Sequence, residues 1–553
     1  MLREDLLNIY ATSFRNNWDL PALSDYMTTT NFTYGEMAKK IAQYHLLFEL
    51  CDVKPGDKVA LLGKNSSIWV ISYMASLTYG AVVVPILSDF NPQDAQHIIN
   101  HSDSVLLFAN DNLFKNLDFS NLPAIKLAVS LDSGTVLGDH TSGEKATKIL
   151  DSLEASFEKR YPNGFSRDDV RYHYFGPDSL AEINYTSGTT GFSKGVMLTL
   201  NNLCGNVVFG LRTGLHYSGS RTLAFLPMAH AFGCAFDMLA PLSTGTHVTI
   251  FGRVPTPKLL LKALADVRPT LILCVPLILE KVYRKQIQPV ISKPTMRRMM
   301  AVPILNKRIY AKIRNKLVEA FGGAFEQIIV GGAPLNKEVE EFLLKIRFPF
   351  TVGYGMTECA PLISYTHHSE FVSGSSGRIL DGLMRVKILS KNPQEIPGEI
   401  CVKGEHVMQG YYKNPEATEA VLDEKGWLHT GDMGTVSKDG TISIKGRSKT
   451  MILSANGQNI YPEEIEAKLN NLPYVGESLV IERGNKLVAL VYADHDAMKN
   501  SKLTDEMMPL VMNKVREELN RQLAPYEQIS AIELQATEFE KTPKKSIKRY
   551  LYQ

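Results

Sequence analysis

The stretch from Tyr185 to Val196 reads YTSGTTGFSKGV. Thr186, Ser187, Thr189, Thr190 and Ser193 offer hydroxyl donors, and Lys194 adds one cation. Gly188, Gly191 and Gly195 let the backbone approach a ligand closely and turn its N–H groups one way. Together these groups suit an anion rich in oxygen, such as a chain of phosphates. Two common phosphate patterns do not fit. A G-x-x-x-x-G-K-[ST] loop counted from Gly188 needs glycine where Ser193 stands, and a hydroxyl where Gly195 follows Lys194. The G-x-G-x-x-G spacing fails too. A flexible linker is the plainer reading, but a lysine-ended loop between regular elements is not a usual linker.

The elements around the loop must position it. AEINY before it reads as a strand, and LTLNNLCGNVV after it reads as a helix. The first 450 residues repeat short apolar runs, as in DKVALLG (57–63), SVLLFA (104–109), HVTIFG (247–252) and FEQIIVGG (325–332). Amphipathic stretches separate them. Such alternation favours parallel sheets covered by helices, with ligands bound beyond the carboxyl ends of strands. The glycine-rich ends VGGAP (330–334) and VGYGMTE (352–358) are therefore candidate site segments. After about residue 378 the runs shorten and the turns tighten, as in MRVKIL, GEICVKG and GTISIKGR. Small antiparallel units are expected there, with a compact α+β tail from about 450.

A chain of 553 residues predicts three or four structural units. A net charge of +2 argues against nucleic acid as the main partner. Six scattered cysteines without ligand spacing point to a reducing cytosol rather than a structural zinc site. The N-terminus lacks the apolar run of a secretory signal. From Asn65 to Ser88 no residue is charged, but Gly80 and Pro85 interrupt the run. It reads as a buried helix, a glycine turn and a buried strand rather than a membrane span. Eleven Lys and Arg lie between Lys281 and Lys316, with no acidic residue. That run has two readings: solvated helix faces, or a patch for anionic lipid headgroups or phosphate.

The loop resembles the signature of the adenylate-forming family, which includes acyl-CoA synthetases, luciferase and nonribosomal adenylation domains. FLPMAHAFG (225–233), VGGAPL (330–335), GYGMTE (353–358), HTGDMG (429–434) and GRSKTMILSANGQNIYPEEIE (446–466) follow in the family's order. The last resembles fatty-acyl-CoA ligases most. The resemblance implies an α/β fold: a large N-terminal domain of helix-covered, mostly parallel sheets with a small β-barrel-like unit (1–447, the β-rich part about 378–447). A small mobile α+β domain (448–553) would be hinged to it.

The implied reaction activates a carboxylate with ATP as acyl-AMP, then passes the acyl group to the thiol of coenzyme A. Residues 185–195 would cradle the β- and γ-phosphates, with Thr186, Ser187, Gly188, Thr189, Thr190, Gly191 and Lys194 as contacts. Glu358 matches the Mg²⁺ ligand; a carboxylate is the hard oxygen donor this ion prefers. Thr357 matches an α-phosphate contact. Gly332, Ala333, Pro334, Tyr354 and Gly355 correspond to walls of the adenine pocket. Asp432 matches the acceptor of both ribose hydroxyls, and Arg447 a second ribose or phosphate contact; the two also suit a structural ion pair. His230 matches a gate between acyl pocket and nucleotide, with a satisfied core histidine as the alternative. Lys449 falls at the hinge. Gly457 matches the glycine that lets the pantetheine arm pass.

One position departs from the pattern. The family's C-terminal adenylation lysine lies in a setting like T-P-x-x-K-x-K-R, and here TPKKSIKR (542–549) puts Ser546 in its slot. Lys545 is the neighbour that takes the role if the loop shifts by one residue. The expected function is ATP-dependent ligation of a fatty acid to coenzyme A in the cytoplasm. Loading of the acyl group onto a carrier protein stands beside it as a rival with the same chemistry, and a non-catalytic acyl or nucleotide sensor stands beside it because of Ser546. Acyl chain length and oligomeric state are not readable from the sequence.

Overall fold

A computed structural model describes residues 2, 4–140, 148–186, 194–253, 255–453, 459–484, 486–501, 503–542 and 546–552. Its centre is an eight-stranded sheet. The order is Gly410–Tyr411, Lys194–Thr199, Leu180–Thr186, Val82–Ile86, Lys58–Leu62, Ser104–Ala109, Leu127–Ser130 and Val136–Asp139. The middle pairs are parallel and both edges are antiparallel. A three-stranded parallel sheet holds Leu271–Cys274, Gln327–Val330 and Phe350–Val352. Another sheet pairs Arg221–Ala224, His247–Ile250 and Pro21–Asp25 in parallel, with Asn31–Thr33 antiparallel at its edge.

The uncharged stretch folds as its sequence predicts. Ser66 caps the helix Ser67–Tyr79 by accepting the Trp69 N–H at 3.1 Å. Gly80, at φ +84°, ends it in a left-handed turn that a side chain would strain. The strand Val82–Ile86 is wholly buried. Ser72, Ser76 and Thr78 are satisfied inside this apolar helix because each hydroxyl donates to a carbonyl four residues back, at 2.6–2.8 Å. Among the described residues no helix is long and apolar enough to cross a membrane.

The segment after the glycine-rich loop differs from the expected strand-to-helix transition. Lys194–Thr199 is a strand, antiparallel to Leu180–Thr186, so the loop joins two strands of a hairpin. Val196 and Leu198 alternate into the core, which is strand periodicity. The helix Leu200–Thr213 starts only where a capping box allows it: Thr199 accepts the Asn202 N–H at 3.3 Å, and the Asn202 side chain accepts the Thr199 N–H at 2.9 Å.

One apolar core runs from Leu6 to Ile442. Two further clusters begin only at Ile460 and Leu479. The chain is thus a large N-terminal domain and a small C-terminal one. The antiparallel sheet of Met384–Leu389, Gly398–Gly404, Leu428–Val436 and Ile442–Arg447 belongs to the large domain's core. Polar contacts link the two domains. Arg284 donates to the Asn470 carbonyl at 2.5 Å, Asn336 bonds Asn471, and Lys445 meets Glu464 at 3.5 Å. Interfaces of this polar kind permit relative motion.

Inside the small domain, Glu466 is buried against Arg549 and accepts the Val480 N–H at 2.6 Å. Burial pushes its carboxyl up to about 7, with Arg549 pulling the other way. The folded chain then keeps a proton that the unfolded chain sheds near the ordinary glutamate value of about 4.3. Native protein holds more protons on this group across that window, so its contribution to stability is full below the window and is lost as pH rises through about 7. Thermal unfolding at about pH 5 and about pH 8 tests this: Glu466→Gln should flatten the slope between them. An unchanged slope removes Glu466 as its source.

Candidate functional site

The loop's two ends are registered against each other. Thr186 pairs with Lys194 and Tyr185 with Gly195 across the hairpin. A side chain at 195 would meet Ile183 at 2.8 Å and the Tyr185 ring at 3.0 Å, so any larger residue there would displace one of them. Ser187, Gly188, Thr189, Thr190 and Gly191 lie outside the described residues, as do Gly457 and Lys545.

Tyr411 organises the next pair of groups. Its short strand Gly410–Tyr411 adds to the sheet edge, with Tyr411 opposite Val196 and Gly410 opposite Met197. The Lys194 Nζ lies over the Tyr411 ring, 4.9 Å from its centroid. On the other side the Tyr411 hydroxyl donates to Glu358 Oε1 at 2.9 Å. Burial pushes this phenol far up, and the neighbouring Glu358 charge adds to the effect, so it remains a donor. The Met408 N–H binds the Glu358 carbonyl at 2.9 Å, and the Tyr412 N–H binds the Gly195 carbonyl at 2.7 Å. The lysine and the carboxylate are therefore fixed by one strand. Glu358 is half-buried in the turn Thr357–Cys359, and Thr357 is buried beside it.

A second cluster centres on Asp432. Tyr354, buried after the strand Phe350–Val352, donates its hydroxyl to Asp432 Oδ2 at 2.7 Å. Arg447 stands opposite Asp432 in the antiparallel register, its Nε 3.6 Å from Oδ1. The Asp432 side chain is 16% exposed and that of Arg447 71%. Burial raises the Asp432 pKa, while the Tyr354 bond and the Arg447 charge oppose the rise. The ion pair of the structural reading is present, with one Asp432 oxygen held by Tyr354 and the Arg447 side chain largely exposed.

The glycine-rich strand ends adjoin these groups. The Gly331 N–H binds the Cys274 carbonyl at 3.1 Å, and the Gly353 N–H binds the Val330 carbonyl at 2.9 Å. Gly332 takes φ +86°, and Ala333 and Pro334 after it are exposed. Gly355 is exposed too, with no room for a side chain beside the Pro361 carbonyl, 2.3 Å from a Cβ. His230 caps the short helix Ala231–Gly233, its Nδ1 accepting the Phe232 N–H at 3.3 Å. The Phe232 ring packs on Gly331, which brings the His230 segment to the same rim.

Lys449 is exposed in the turn between Ile442–Arg447 and Ile452–Leu453. Two bonds brace that turn: the Ser448 N–H to the Gly431 carbonyl at 2.8 Å, and Thr450 Oγ1 to Glu463 Oε1 at 2.6 Å. Ser546 lies exposed near the C-terminus and bonds back to Thr542, its carbonyl accepting the Thr542 N–H at 2.8 Å.

Tyr411 was not among the sequence candidates, and neither was a network behind Asp432. Glu399 Oε1 accepts the Gly431 N–H at 3.1 Å, and its Oε2 meets His429 Nδ1 at 2.9 Å. Thr430 Oγ1 donates to the Ile400 carbonyl at 2.7 Å and accepts the Asp432 N–H at 3.1 Å. Together these hold the TGD part of the strand Leu428–Val436. Cys401 adds a third donor atom near His429. The Glu399–His429 bond and the Gly431 N–H already satisfy the carboxylate, so the geometry reads as a brace for Asp432.

A family model described as AMP-binding enzyme matches residues 11–412, and one for the AMP-binding enzyme C-terminal domain matches 449–552. A peroxisomal long chain acyl-CoA synthetase 6 of Arabidopsis thaliana is 29% identical over 80% of this chain. The match spans 66% of that relative's length, just under two thirds. A 4-coumarate-CoA ligase 2 of Narcissus pseudonarcissus is 27% identical, over 93% of this chain and 85% of its own. Among solved structures, an anthranilate CoA ligase in complex with anthranoyl-AMP superposes with a TM-score of 0.79 at 18% identity, covering 100% of this chain and 97% of the other. At that identity the likeness speaks for the fold.

Proposed function

The chain belongs to the AMP-binding enzyme family, and from that premise we propose that it joins a fatty acid to coenzyme A through an acyl-AMP intermediate. The observation that supports this reading most is the Tyr411 clamp. One tyrosine holds a carboxylate, Glu358, and a cation, Lys194, the residue that ends the hydroxyl-rich loop in the sequence. Such a pair suits a substrate that carries both phosphate and a phosphate-bound metal.

In this reading the acid's carboxylate attacks the α-phosphorus of ATP, the bond to the bridging oxygen breaks, and pyrophosphate leaves. Thr186 and Lys194, with residues 187–193 between them, hold the departing phosphates. Asp432 accepts the ribose hydroxyls, and Arg447 adds a cation at the nucleotide's edge. Gly332, Ala333, Pro334, Tyr354 and Gly355 wall the adenine. His230 separates the acyl pocket from the nucleotide. Glu358 would hold Mg²⁺, and a half-buried carboxylate next to a phosphate loop fits an ion that takes its other ligands from phosphates and water. When bound, the ion neutralises phosphate charge. The thiol of coenzyme A then adds to the acyl carbonyl, loses its proton, and expels AMP. Lys449 is the hinge about which 448–553 would swing between the steps, with Gly457 admitting the pantetheine arm.

Ser546 supports a second reading, a homologue that binds nucleotide and acid without turnover, unless Lys545 supplies the missing charge. One experiment addresses both. Purified full-length protein is given ATP, coenzyme A and a panel of acids from acetate to oleate, with 4-coumarate and anthranilate alongside. AMP release should require both coenzyme A and a fatty acid. Preference for an aromatic acid would overturn the fatty-acid reading. Acid-dependent pyrophosphate exchange without coenzyme-A-dependent AMP release would favour a carrier-protein acceptor, and no exchange with any acid would favour the sensor.

A further inference from the structure

From Gln288 to Arg308 no residue is buried, although most of this stretch is helical. Helices in folded proteins are stabilised chiefly by burying an apolar face. Here Ile291 packs against the core, but five apolar side chains remain exposed. Val290, Met299, Val302, Ile304 and Leu305 are exposed, Ile304 at 72%. Interleaved with them are Lys293, Arg297, Arg298, Lys307 and Arg308, also exposed, and no carboxylate occurs between Lys281 and Lys316. Exposed apolar groups that cluster in this way mark an interaction surface.

We propose that the segment 288–308 docks on the surface of an anionic lipid bilayer. The chemistry of both faces fits. Apolar side chains enter the headgroup–acyl boundary while lysine and arginine meet lipid phosphates. A second copy of the chain fits less well, because a two-fold contact would set the same cations against each other. Nucleic acid would leave the five apolar side chains without a partner.

The helix that precedes the patch is tied to a site segment. The helix Pro276–Val282 that leads to it starts just beyond the strand Leu271–Cys274. Glu280 Oε1 in that helix accepts the Asn336 N–H at 3.0 Å, which ties it to the loop carrying Gly332, Ala333 and Pro334. Docking would therefore set the rim of the site close to the bilayer. That proximity suits an acid that partitions into membranes. The docking itself does not rest on the fatty-acid reading.

The test is co-sedimentation of the full chain with vesicles of phosphatidylglycerol and phosphatidylcholine, or of phosphatidylcholine alone, without ATP, acid or coenzyme A. The protein should follow the anionic vesicles and release at high salt. Arg297→Glu/Arg298→Glu should lower partitioning at least roughly tenfold, since each surface cation contributes about 1 kcal/mol. Ile304→Asp/Leu305→Asp should lower it at least roughly tenfold as well, while thermal melting stays as in the parent because all four sites are exposed. Equal binding to both vesicle types, no binding to either, or parent-like binding by both variants overturns the proposal. So does a concentration-dependent dimer that Ile304→Asp/Leu305→Asp dissociates.

Discussion

Glu358→Gln will slow acid-dependent ATP–pyrophosphate exchange by roughly 10²–10³-fold, a loss of about 3–4 kcal/mol of transition-state stabilisation. The substitution isolates charge from shape. A glutamine carbonyl can still accept the Tyr411 hydroxyl that Glu358 Oε1 accepts at 2.9 Å, and the Met408 N–H bonds the backbone, which does not change. Packing around the turn Thr357–Cys359 is thus preserved, and melting temperature should shift little. What disappears is the negative oxygen that would hold a cation against the phosphates. Raising the Mg²⁺ concentration should recover part of the rate, because a weakened ligand set is filled by mass action. Exchange within twofold of the parent would remove Glu358 from the metal role.

How much of this site is legible in the sequence depends on the range of the interaction. The glycine-rich loop and the VGGAP and VGYGMTE strand ends announce themselves through local composition, whereas the TGD segment is found only through the family resemblance. Glycine, hydroxyl and carboxylate side chains are rare together except where backbone must bend near a ligand. The uncharged stretch 65–88 resolves correctly for the same reason, since Gly80 and Pro85 punctuate it locally. Tyr411 carries no such mark. It matters only because the strand Gly410–Tyr411 pairs with Val196 and Met197, more than two hundred residues away in the chain, and that register is not written in either segment. Glu399 and His429 are hidden in the same way: each reads as an ordinary strand residue until pairing brings Cys401 opposite His429.

The loop itself shows the limit from the other side. Its suitability for a phosphate chain is readable from the residues, but the strand Lys194–Thr199 behind it is short and contains a glycine. Local propensity therefore runs it into the helix that follows. Tertiary pairing with Leu180–Thr186 decides otherwise. The basic segment poses the opposite problem. Charge alone leaves both solvation and lipid contact open, and the exposure of Ile304, Leu305 and their neighbours is the observation on which the lipid proposal rests.

Lys449→Pro will leave pyrophosphate exchange within about threefold of the parent and lower acyl-CoA formation by roughly 100-fold, ~2.7 kcal/mol on the second step alone. The substitution acts on torsions, not contacts. Lys449 is exposed in the turn that separates the large domain's last strand, Ile442–Arg447, from the small domain. Proline fixes φ at 449 and restricts Ser448 before it, so the turn loses the freedom a hinge needs. The bonds that brace the present arrangement come from its neighbours: the Ser448 N–H to the Gly431 carbonyl, and Thr450 to Glu463. They can survive the change and keep the arrangement described here in place. The polar contacts between the domains, Arg284 with Asn470 and Lys445 with Glu464, must break and re-form in each cycle if the small domain moves. Single-turnover measurement separates the steps, with acyl-AMP building up in the variant before thioester appears. If both half-reactions fall together, residue 449 is a structural turn and the hinge lies elsewhere. If neither falls, the two steps share one arrangement of the domains.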